Sequence, residues 1–360
     1  MDQRTLVFRN ADIYTPEGRI QGGTLAVSGG KIAGIHRAGE AADYGAEAEI
    51  VDATGLKLVP GFVDVHVHGG AGGEFNSGKI ETYGDICRYH AAHGTTTLLA
   101  TTLTDTRERL EQAVQAIVRW MDRPAPEGAR VWGIHLEGPF LNKVRTGAQN
   151  PEFLRAPDRD ELRMYAEMSG GRVRLITIAP EMPGAEETIR WAAEHGITVS
   201  VGHSDATHEQ MLAAIAWGAR HVTHLFNGMR PLHHREPGVA GTALIRDELT
   251  VELICDGIHV HRELIPWVMR TKPKDKVVCV TDCMSAAGMP NGDYMLGSLP
   301  VRMIDGQVRL ITEEPARGRL GASTLNMHQA LMNCLAFTGW ELERLLPYFT
   351  LNPARQAGAD

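Results

Sequence analysis

The pattern of hydrophobic and polar residues along the chain changes near Val59. Before it, the stretches TLVFRNADIYTP, GTLAVSGGKIAGIHR and AEIVDATGLKLV alternate apolar with polar residues, and glycine-rich or acidic turns separate them. A period of two is typical of short antiparallel β-strands. We therefore predict a small β-domain, a β-sandwich built from N-terminal strands, over residues 1–58.

Beyond Val59, apolar runs alternate with amphipathic stretches, which is the β/α rhythm of a parallel sheet. Eight apolar runs follow one another: PGFVDVHVHG, TTTLLATT, RVWGIHLEG, RVRLITIAP, TVSVGHS, HVTHLFN, LTVELICDG and KVVCVTD. Eight units in about 230 residues favour an α/β fold of the (β/α)₈ TIM-type barrel over a doubly wound sheet. We assign the barrel to residues 59–345 and expect residues 346–360 to return toward the small domain.

Composition and charge narrow the classes of function. The net charge of -8 argues against nucleic acid or an anionic membrane as a partner. No apolar run approaches the roughly 20 residues of a membrane-spanning helix, and the charged N-terminus MDQRTLVFRN is unlike a signal peptide. The five cysteines form no CxxC pair, so we expect reduced thiols in a cytoplasmic protein.

Histidines and carboxylates stand at the ends of five predicted barrel strands. They are His66, His68, Glu137, His203, His224 and Asp282. Strand ends at the C-terminal face of a barrel converge on one site. Residues i and i+2 of a strand point the same way, so His66 and His68 are placed to bind one ion. Four imidazoles and two carboxylates suit zinc, iron, manganese or cobalt, and one carboxylate among them is able to bridge two ions.

This ligand set predicts hydrolysis assisted by one or two divalent metal ions, with zinc as the first choice. Such an ion lowers the pKa of bound water to about 7, so that metal-bound hydroxide attacks an amide carbonyl. Asp282 is the candidate general base, and afterwards the acid that protonates the leaving amine. No GxSxG nucleophile motif competes for the role.

Several longer motifs resemble those of the N-acetylglucosamine-6-phosphate deacetylase family in the amidohydrolase superfamily. They are VDATGLKLVPGFVDVHVHG, HLEGPFLN, SVGHSDAT, VTHLFNGM, REPGVAG, CDGIHV, VTDCMSAAGMPNGDYMLG and GASTLNM. The resemblance covers nearly the whole chain. It implies hydrolysis of the acetamide of N-acetylglucosamine 6-phosphate to glucosamine 6-phosphate and acetate. Members of this family continue into C-terminal strands that complete the small β-domain, and we expect those strands to be missing from this sequence.

The resemblance also implies metal-site roles for individual residues. Glu137, His203 and His224 correspond to the principal metal site. His66 and His68 correspond to a second metal position, with Glu137 as the bridge between the two ions.

Other residues correspond to the catalytic group and the substrate site. Asp282 matches the catalytic acid and base, and Asn227 and Gly228 match a segment that lines the sugar site. Arg235 and His259 match residues that hold the sugar and its phosphate. In the family this arginine reaches the site of a neighbouring subunit, so the resemblance implies a homodimer.

One position departs from the family pattern. Gln149 stands where many members carry a histidine that helps to bind substrate near the N-acetyl group. A glutamine amide still donates hydrogen bonds but cannot become cationic. We expect Gln149 to orient the substrate, with the sugar preference left open.

Three rival interpretations remain at this point. An N-acetylgalactosamine-6-phosphate deacetylase would share all the metal residues. A cyclic-amide hydrolase of the dihydroorotase type would bridge two metals with a carboxylated lysine, whereas the third barrel strand here supplies Glu137. A catalytically inactive scaffold on the same barrel would have lost ligands, and all six are present.

Overall fold

The N-terminal strands form one mixed sheet. The computed structural model describes residues 5–40, 43–124, 127–311 and 319–360. The strands are β1 (Leu6–Thr15), β2 (Gly18–Ser28), β3 (Lys31–His36), β4 (Glu49–Asp52) and β5 (Lys57–Leu58). Strands β1, β2 and β3 pair antiparallel, whereas β4 and β5 run parallel to β1.

This pairing corrects the expectation of an antiparallel β-sandwich, because the described N-terminal residues form a single sheet with parallel and antiparallel pairs. Its small core consists of Ala11, Ile13, Leu25 and Ala53. Alternation in the sequence reports which face of a strand is buried but not the direction of its neighbour. Strand β4 pairs in parallel with β1, and the connection from β3 to β4 is long enough to cross the sheet as this pairing requires.

Eight parallel strands form the predicted barrel in chain order, which confirms the fold class. The first, β6 (Phe62–Val67), precedes a short hairpin of β7 (Gly69–Gly70) and β8 (Gly73–Glu74). The others are β9 (Thr95–Thr102), β10 (Arg130–Glu137), β11 (Val173–Ile178), β12 (Thr198–Val201), β13 (His221–Val222), β14 (Thr250–Ile254) and β15 (Val277–Val280).

The barrel closes where its last strand meets its first. The amide of Asp282 donates to the carbonyl of His66 at 2.9 Å, and the amide of His68 donates to the carbonyl of Cys283 at 2.9 Å. The side chain of Thr281 donates to Asp64 at 2.6 Å within the same seam. These bonds join three candidate site residues directly through the backbone, so closure of the barrel sets their spacing.

Helices connect and follow the strands. They are α1 (Tyr83–Ala92), α2 (Arg107–Met121), α3 (Arg159–Met168), α4 (Ala185–Glu194), α5 (His208–Trp217), α6 (Gly238–Ile245), α7 (Leu264–Thr271), α8 (Met327–Thr338), α9 (Leu342–Phe349) and α10 (Leu351–Ala357). Side-chain caps begin several of them; Thr207, for example, forms a capping box with Gln210 at the start of α5. In the described ranges, no helix combines the length and apolar character needed to cross a membrane.

A three-stranded antiparallel sheet follows the last barrel strand. Its strands are β16 (Gly292–Leu296), β17 (Leu299–Ile304) and β18 (Gln307–Leu310). Leu296, Val301 and Met303 pack with Leu103 and Met284 in a separate apolar cluster. The sheet is therefore anchored to the ends of barrel strands and not suspended in solvent.

Contacts divide the described chain into two compact units. One contains the residues up to Gly61 together with Glu341–Leu346, and the other contains Phe62–Trp340 and Pro347–Asp360. Every candidate site residue lies in the second unit. The domain boundaries predicted at residues 58 and 345 stay a prediction.

Candidate metal centre and active site

The six strand-end residues lie together and are buried. Glu137 is the last residue of β10, His66 lies within β6, and His68 follows it. His203, His224 and Asp282 each lie two residues beyond the end of their strands, β12, β13 and β15. The structure thus brings all six predicted residues to the carboxyl ends of the parallel strands.

Glu137 is the centre of this group. Its Oε1 lies 3.1 Å from Nε2 of His203 and 3.1 Å from Nε2 of His224. The same oxygen is 3.4 Å from Nε2 of His66, and Oε2 is 3.3 Å from Nε2 of His68. One carboxylate therefore contacts four imidazoles, three through Oε1 and one through Oε2.

The ring tautomers indicate that lone pairs converge on Glu137. Nδ1 of His203 lies 2.9 Å from the carbonyl oxygen of Arg145, which only accepts, so Nδ1 carries the proton. Nδ1 of His66 likewise faces the carboxylate of Glu252 at 2.9 Å. In the neutral rings, both Nε2 atoms then direct lone pairs at a carboxylate. This arrangement is repulsive unless positive charge lies between them, and the donor set fits a divalent cation.

The pKa shifts show the same demand for positive charge. Burial is the largest single effect on His68 and lowers its pKa, but bonds to Asp282 and Glu137 outweigh burial and raise it to about 9. Burial raises the pKa of Glu137, yet the charges of His66 and His203 and bonds from His203 and His224 take it well below the usual range. Protons or metal ions are two ways to supply the charge that this cluster requires.

Asp282 lies beside the imidazole pair of the first strand. Its Oδ1 is 3.2 Å from Nε2 of His68 and 3.5 Å from Nε2 of His66. Burial raises the pKa of Asp282, but the charge of His66 and the hydrogen bond from His68 outweigh burial, so the pKa is lowered overall. An ionised carboxylate at the cavity wall is suited to accept a proton.

Three of these residues hold strained backbone. His203, His224 and Asp282 have φ values of 47°, 29° and 53°, in the left-handed region that non-glycine residues rarely adopt. Such conformations cost on the order of 1–3 kcal/mol each and concentrate at functional sites. Gly228 adjoins the two histidines: a Cβ there would lie 3.0 Å from Nδ1 of His203 and 3.5 Å from Cε1 of His224, so a larger residue would push against the His203 ring.

Sequence reasoning missed a buried carboxylate behind the cluster. Glu252 lies in β14 and is fully buried. It accepts from Nδ1 of His66 at 2.9 Å, from the amide of His224 at 2.9 Å and from Nε2 of His221 at 3.1 Å. Burial raises its pKa, but the charge of His66 and bonds from His221 and His66 lower it well below the usual range. An acidic residue within the apolar run LTVELICDG was the available signal.

A cavity of about 560 Å³ opens in front of the cluster. Its walls include Asn227, Gly228, His259 and Gln149, four of the five residues predicted to bind substrate. The fifth, Arg235, is exposed outside this cavity, and its Nη1 contacts Nε2 of His234 at 2.7 Å. A role for Arg235 within its own chain's cavity receives no support, and its predicted role at a neighbouring subunit stays a prediction.

Gln149 contacts the central carboxylate. Its Nε2 donates to Oε2 of Glu137 at 2.6 Å, while its Oε1 accepts from the amide of Thr104 at 2.8 Å. Both ends of the amide are thus fixed, and the side chain is buried. Gln149 thus positions Glu137 as well as lining the cavity, a contact that its place in the sequence did not reveal.

Other polar groups at the cavity are also held in place. Asp256 accepts from Nδ1 of His259 at 2.6 Å, which fixes the proton on that nitrogen and leaves Nε2 for another partner. Arg145 and Arg319 line the same cavity and were missed by sequence reasoning. Arg145 is paired with Asp205 at 2.7 Å, whereas Arg319 donates to the hydroxyl of Thr146 at 3.0 Å.

Comparisons with known proteins agree with this geometry. Residues 58–360 match the Amidohydrolase family. The N-acetylglucosamine-6-phosphate deacetylase of Lysinibacillus sphaericus is 36% identical over 360 residues, covering 98% of this chain and 88% of the relative. The N-acetylgalactosamine-6-phosphate deacetylase of Escherichia coli O157:H7 is 34% identical over 356 residues, covering 99% and 90%.

A solved structure is similar over almost the entire chain. It is a mutant N-acetyl-D-glucosamine-6-phosphate deacetylase from Mycobacterium smegmatis in complex with N-acetyl-D-glucosamine-6-phosphate. It matches with a TM-score of 0.89 at 32% identity, covering 99% of this chain and 91% of that one. The present chain therefore belongs to the amidohydrolase family and, within it, to the N-acetylglucosamine-6-phosphate deacetylase family of hydrolases.

Proposed function

We propose that this enzyme hydrolyses the acetamide of N-acetylglucosamine 6-phosphate to acetate and glucosamine 6-phosphate. The observation that carries the proposal is the contact of one carboxylate, Glu137, with four imidazoles at the floor of a cavity that also contains Asp282. The solved relative that contains N-acetyl-D-glucosamine-6-phosphate supports this substrate.

Two groups of residues would hold the divalent ions that the family chemistry requires. Glu137, His203 and His224 form one group, and His66, His68 and Asp282 form the other. When bound, such an ion polarises the amide carbonyl and makes water more acidic. The nitrogen-rich ligands favour zinc in our proposal, with iron, manganese or cobalt as alternatives and with one or two positions filled.

The chain's own residues then move the protons. Asp282, held ionised, accepts a proton from the attacking water as the carbon–oxygen bond forms. When the carbon–nitrogen bond breaks, the same carboxyl returns that proton to the leaving nitrogen, so the products are acetate and the free amine. Gln149 donates a hydrogen bond to Glu137 and so keeps this carboxylate in position between the imidazoles.

The sugar and its phosphate would occupy the cavity in front of the metal centre. Asn227 and the backbone of Gly228 line the wall next to His224, and Nε2 of His259 is placed to accept a hydrogen bond from a sugar hydroxyl. In a homodimer, we propose that Arg235 of each chain reaches the phosphate in the neighbouring site. Its planar guanidinium donates two parallel bonds to such an oxyanion. We also propose that the enzyme acts in the cytoplasm, where its five buried cysteines stay reduced.

The galacto epimer is the second candidate, because the 34% identical relative from Escherichia coli O157:H7 is an N-acetylgalactosamine-6-phosphate deacetylase. The test is a turnover comparison of the two epimers, with acetate and free amine measured together. We expect a higher kcat/KM for the gluco epimer. A preference for the galacto epimer would move the assignment to the second candidate, and no acetate from either would overturn both.

A further inference from the structure

Three of the five cysteines lie together away from the histidine cluster. Cys255 follows β14, Cys279 lies within β15, and Cys334 lies on α8. All three are fully buried, and none forms a disulfide. Their sulfur atoms lie within 4.8 Å of one another, and Sγ of Cys255 is 3.7 Å from Sγ of Cys279.

The spacing of the sulfurs suits a shared cation. Two sulfurs bound to one ion at about 2.3 Å lie roughly 3.8 Å apart in tetrahedral geometry and roughly 4.0 Å apart in trigonal geometry. A disulfide would need about 2.05 Å. The observed distance of 3.7 Å between the sulfurs of Cys255 and Cys279 is close to the sulfur–sulfur distance expected when two thiolates bind the same ion.

The chemistry of the cluster differs from that of the active site. Its ligand atoms are sulfur alone, and soft thiolate ligands select thiophilic ions such as Cu(I) and zinc. Hydrogen bonds from Cys255 and then Cys279 lower the pKa of Cys334 to about 5, so one sulfur is already disposed to lose its proton. Burial raises the pKa of Cys279, and a cation would have to displace that proton.

We propose that Cys255, Cys279 and Cys334 form a separate metal site, which binds a single thiophilic cation and is independent of the histidine and carboxylate centre. The cluster lies at the carboxyl-terminal parts of β14 and β15. Cys255 immediately precedes Asp256, which fixes His259, and Cys279 lies three residues before Asp282 on the same strand end. A cation held there would tie β14, β15 and α8 together and release thiol protons on binding.

The test is a titration of the metal-loaded enzyme with Cd²⁺, followed by ultraviolet thiolate-to-metal charge-transfer absorbance. Imidazole and carboxylate ligands do not give this band, so exchange at the active site does not imitate it. Circular dichroism, recorded at each addition, monitors the fold. We expect one saturating step at one ion per chain, with the native spectrum unchanged.

Variants identify the ligands. Cys334→Ser and, independently, Cys255→Ser should each lose most of the band and shift the titration to higher Cd²⁺. Cys87→Ser is the matched control, because Cys87 is equally buried on α1 but lies outside the cluster. Two variants at different elements guard against the failure of one to fold. The proposal is overturned if the folded wild type gives no band, if the band appears only on unfolding, if both cluster variants retain it, or if Cys87→Ser loses it equally.

Discussion

Replacing Glu252 by glutamine tests whether the buried carboxylate behind the cluster tunes the metal centre. The substitution keeps the shape of the side chain but removes its negative charge. The amide oxygen is still able to accept from Nδ1 of His66 and from the amide of His224, both of which now contact Oε2. The amide NH₂ would face Nε2 of His221. That nitrogen accepts a hydrogen bond when the ring carries its proton on Nδ1, and Oε1 of Gln356 lies 3.0 Å from Nδ1 to accept that proton's hydrogen bond.

The expected effect is therefore electrostatic and not a loss of packing. A carboxylate behind a metal-bound histidine makes the ring more basic, and removing such a partner typically costs 10–100-fold in metal affinity. At 1.36 kcal/mol per tenfold, this is about 1.4–2.7 kcal/mol. Because Glu252 also holds the backbone of His224, we expect both groups of ligands to weaken, the group containing His66 more strongly.

The assay is competition for zinc between the protein and a chelator of known affinity. Glu248→Gln is the control, because that glutamate lies near Glu252 in the chain but is exposed and paired with Arg246. It should leave zinc affinity unchanged. Equal affinity in wild type and Glu252→Gln would refute the reasoning, as would an equal loss in the control.

Three further changes probe other parts of the account. Asp282→Asn should retain most of its bound metal, measured by elemental analysis, while kcat falls about 10²–10⁴-fold; near-normal turnover would remove Asp282 from proton transfer. Arg235→Ala should raise KM for the phosphorylated sugar by roughly ten- to more than a hundredfold, which corresponds to a loss of about 1.5–3 kcal/mol, and should hardly alter KM for the unphosphorylated sugar. If kinetics with both sugars match wild type, Arg235 is only a solvated loop residue. Gly228→Ala should weaken zinc binding, because the new Cβ would lie 3.0 Å from His203. Gly170→Ala is the control, because Gly170 has a similar positive φ with open space around it, and this variant should bind zinc as the wild type does. Equal zinc affinities of the two variants would refute the steric role of Gly228.

The barrel and its six strand-end residues were predictable because the relevant information is local in sequence. Apolar runs at β/α spacing identify parallel strands, and the residue type that ends each run identifies the chemistry. His66 and His68 illustrate this, since strand alternation alone places both side chains on one side. Glu137 follows from the end of the third run in the same way.

Contacts made by the folding of distant segments were less accessible. Glu252 reaches His66 only because the barrel closes, and the two lie far apart in the chain. Gln149 was assigned to substrate alone, because its bond to Glu137 depends on the path of a loop. The parallel pairing of β4 with β1 was missed for a related reason: alternation predicts a buried face but not strand direction.

The most direct test of the central claim is acetate release from N-acetylglucosamine 6-phosphate before and after metal removal. The enzyme is dialysed against a chelator, assayed, and then reloaded with zinc, with metal content measured at each stage. We predict that turnover is lost with the metal and returns with it, in proportion to zinc bound at the centre around Glu137. Unchanged acetate release from protein shown to be free of metal would contradict the account.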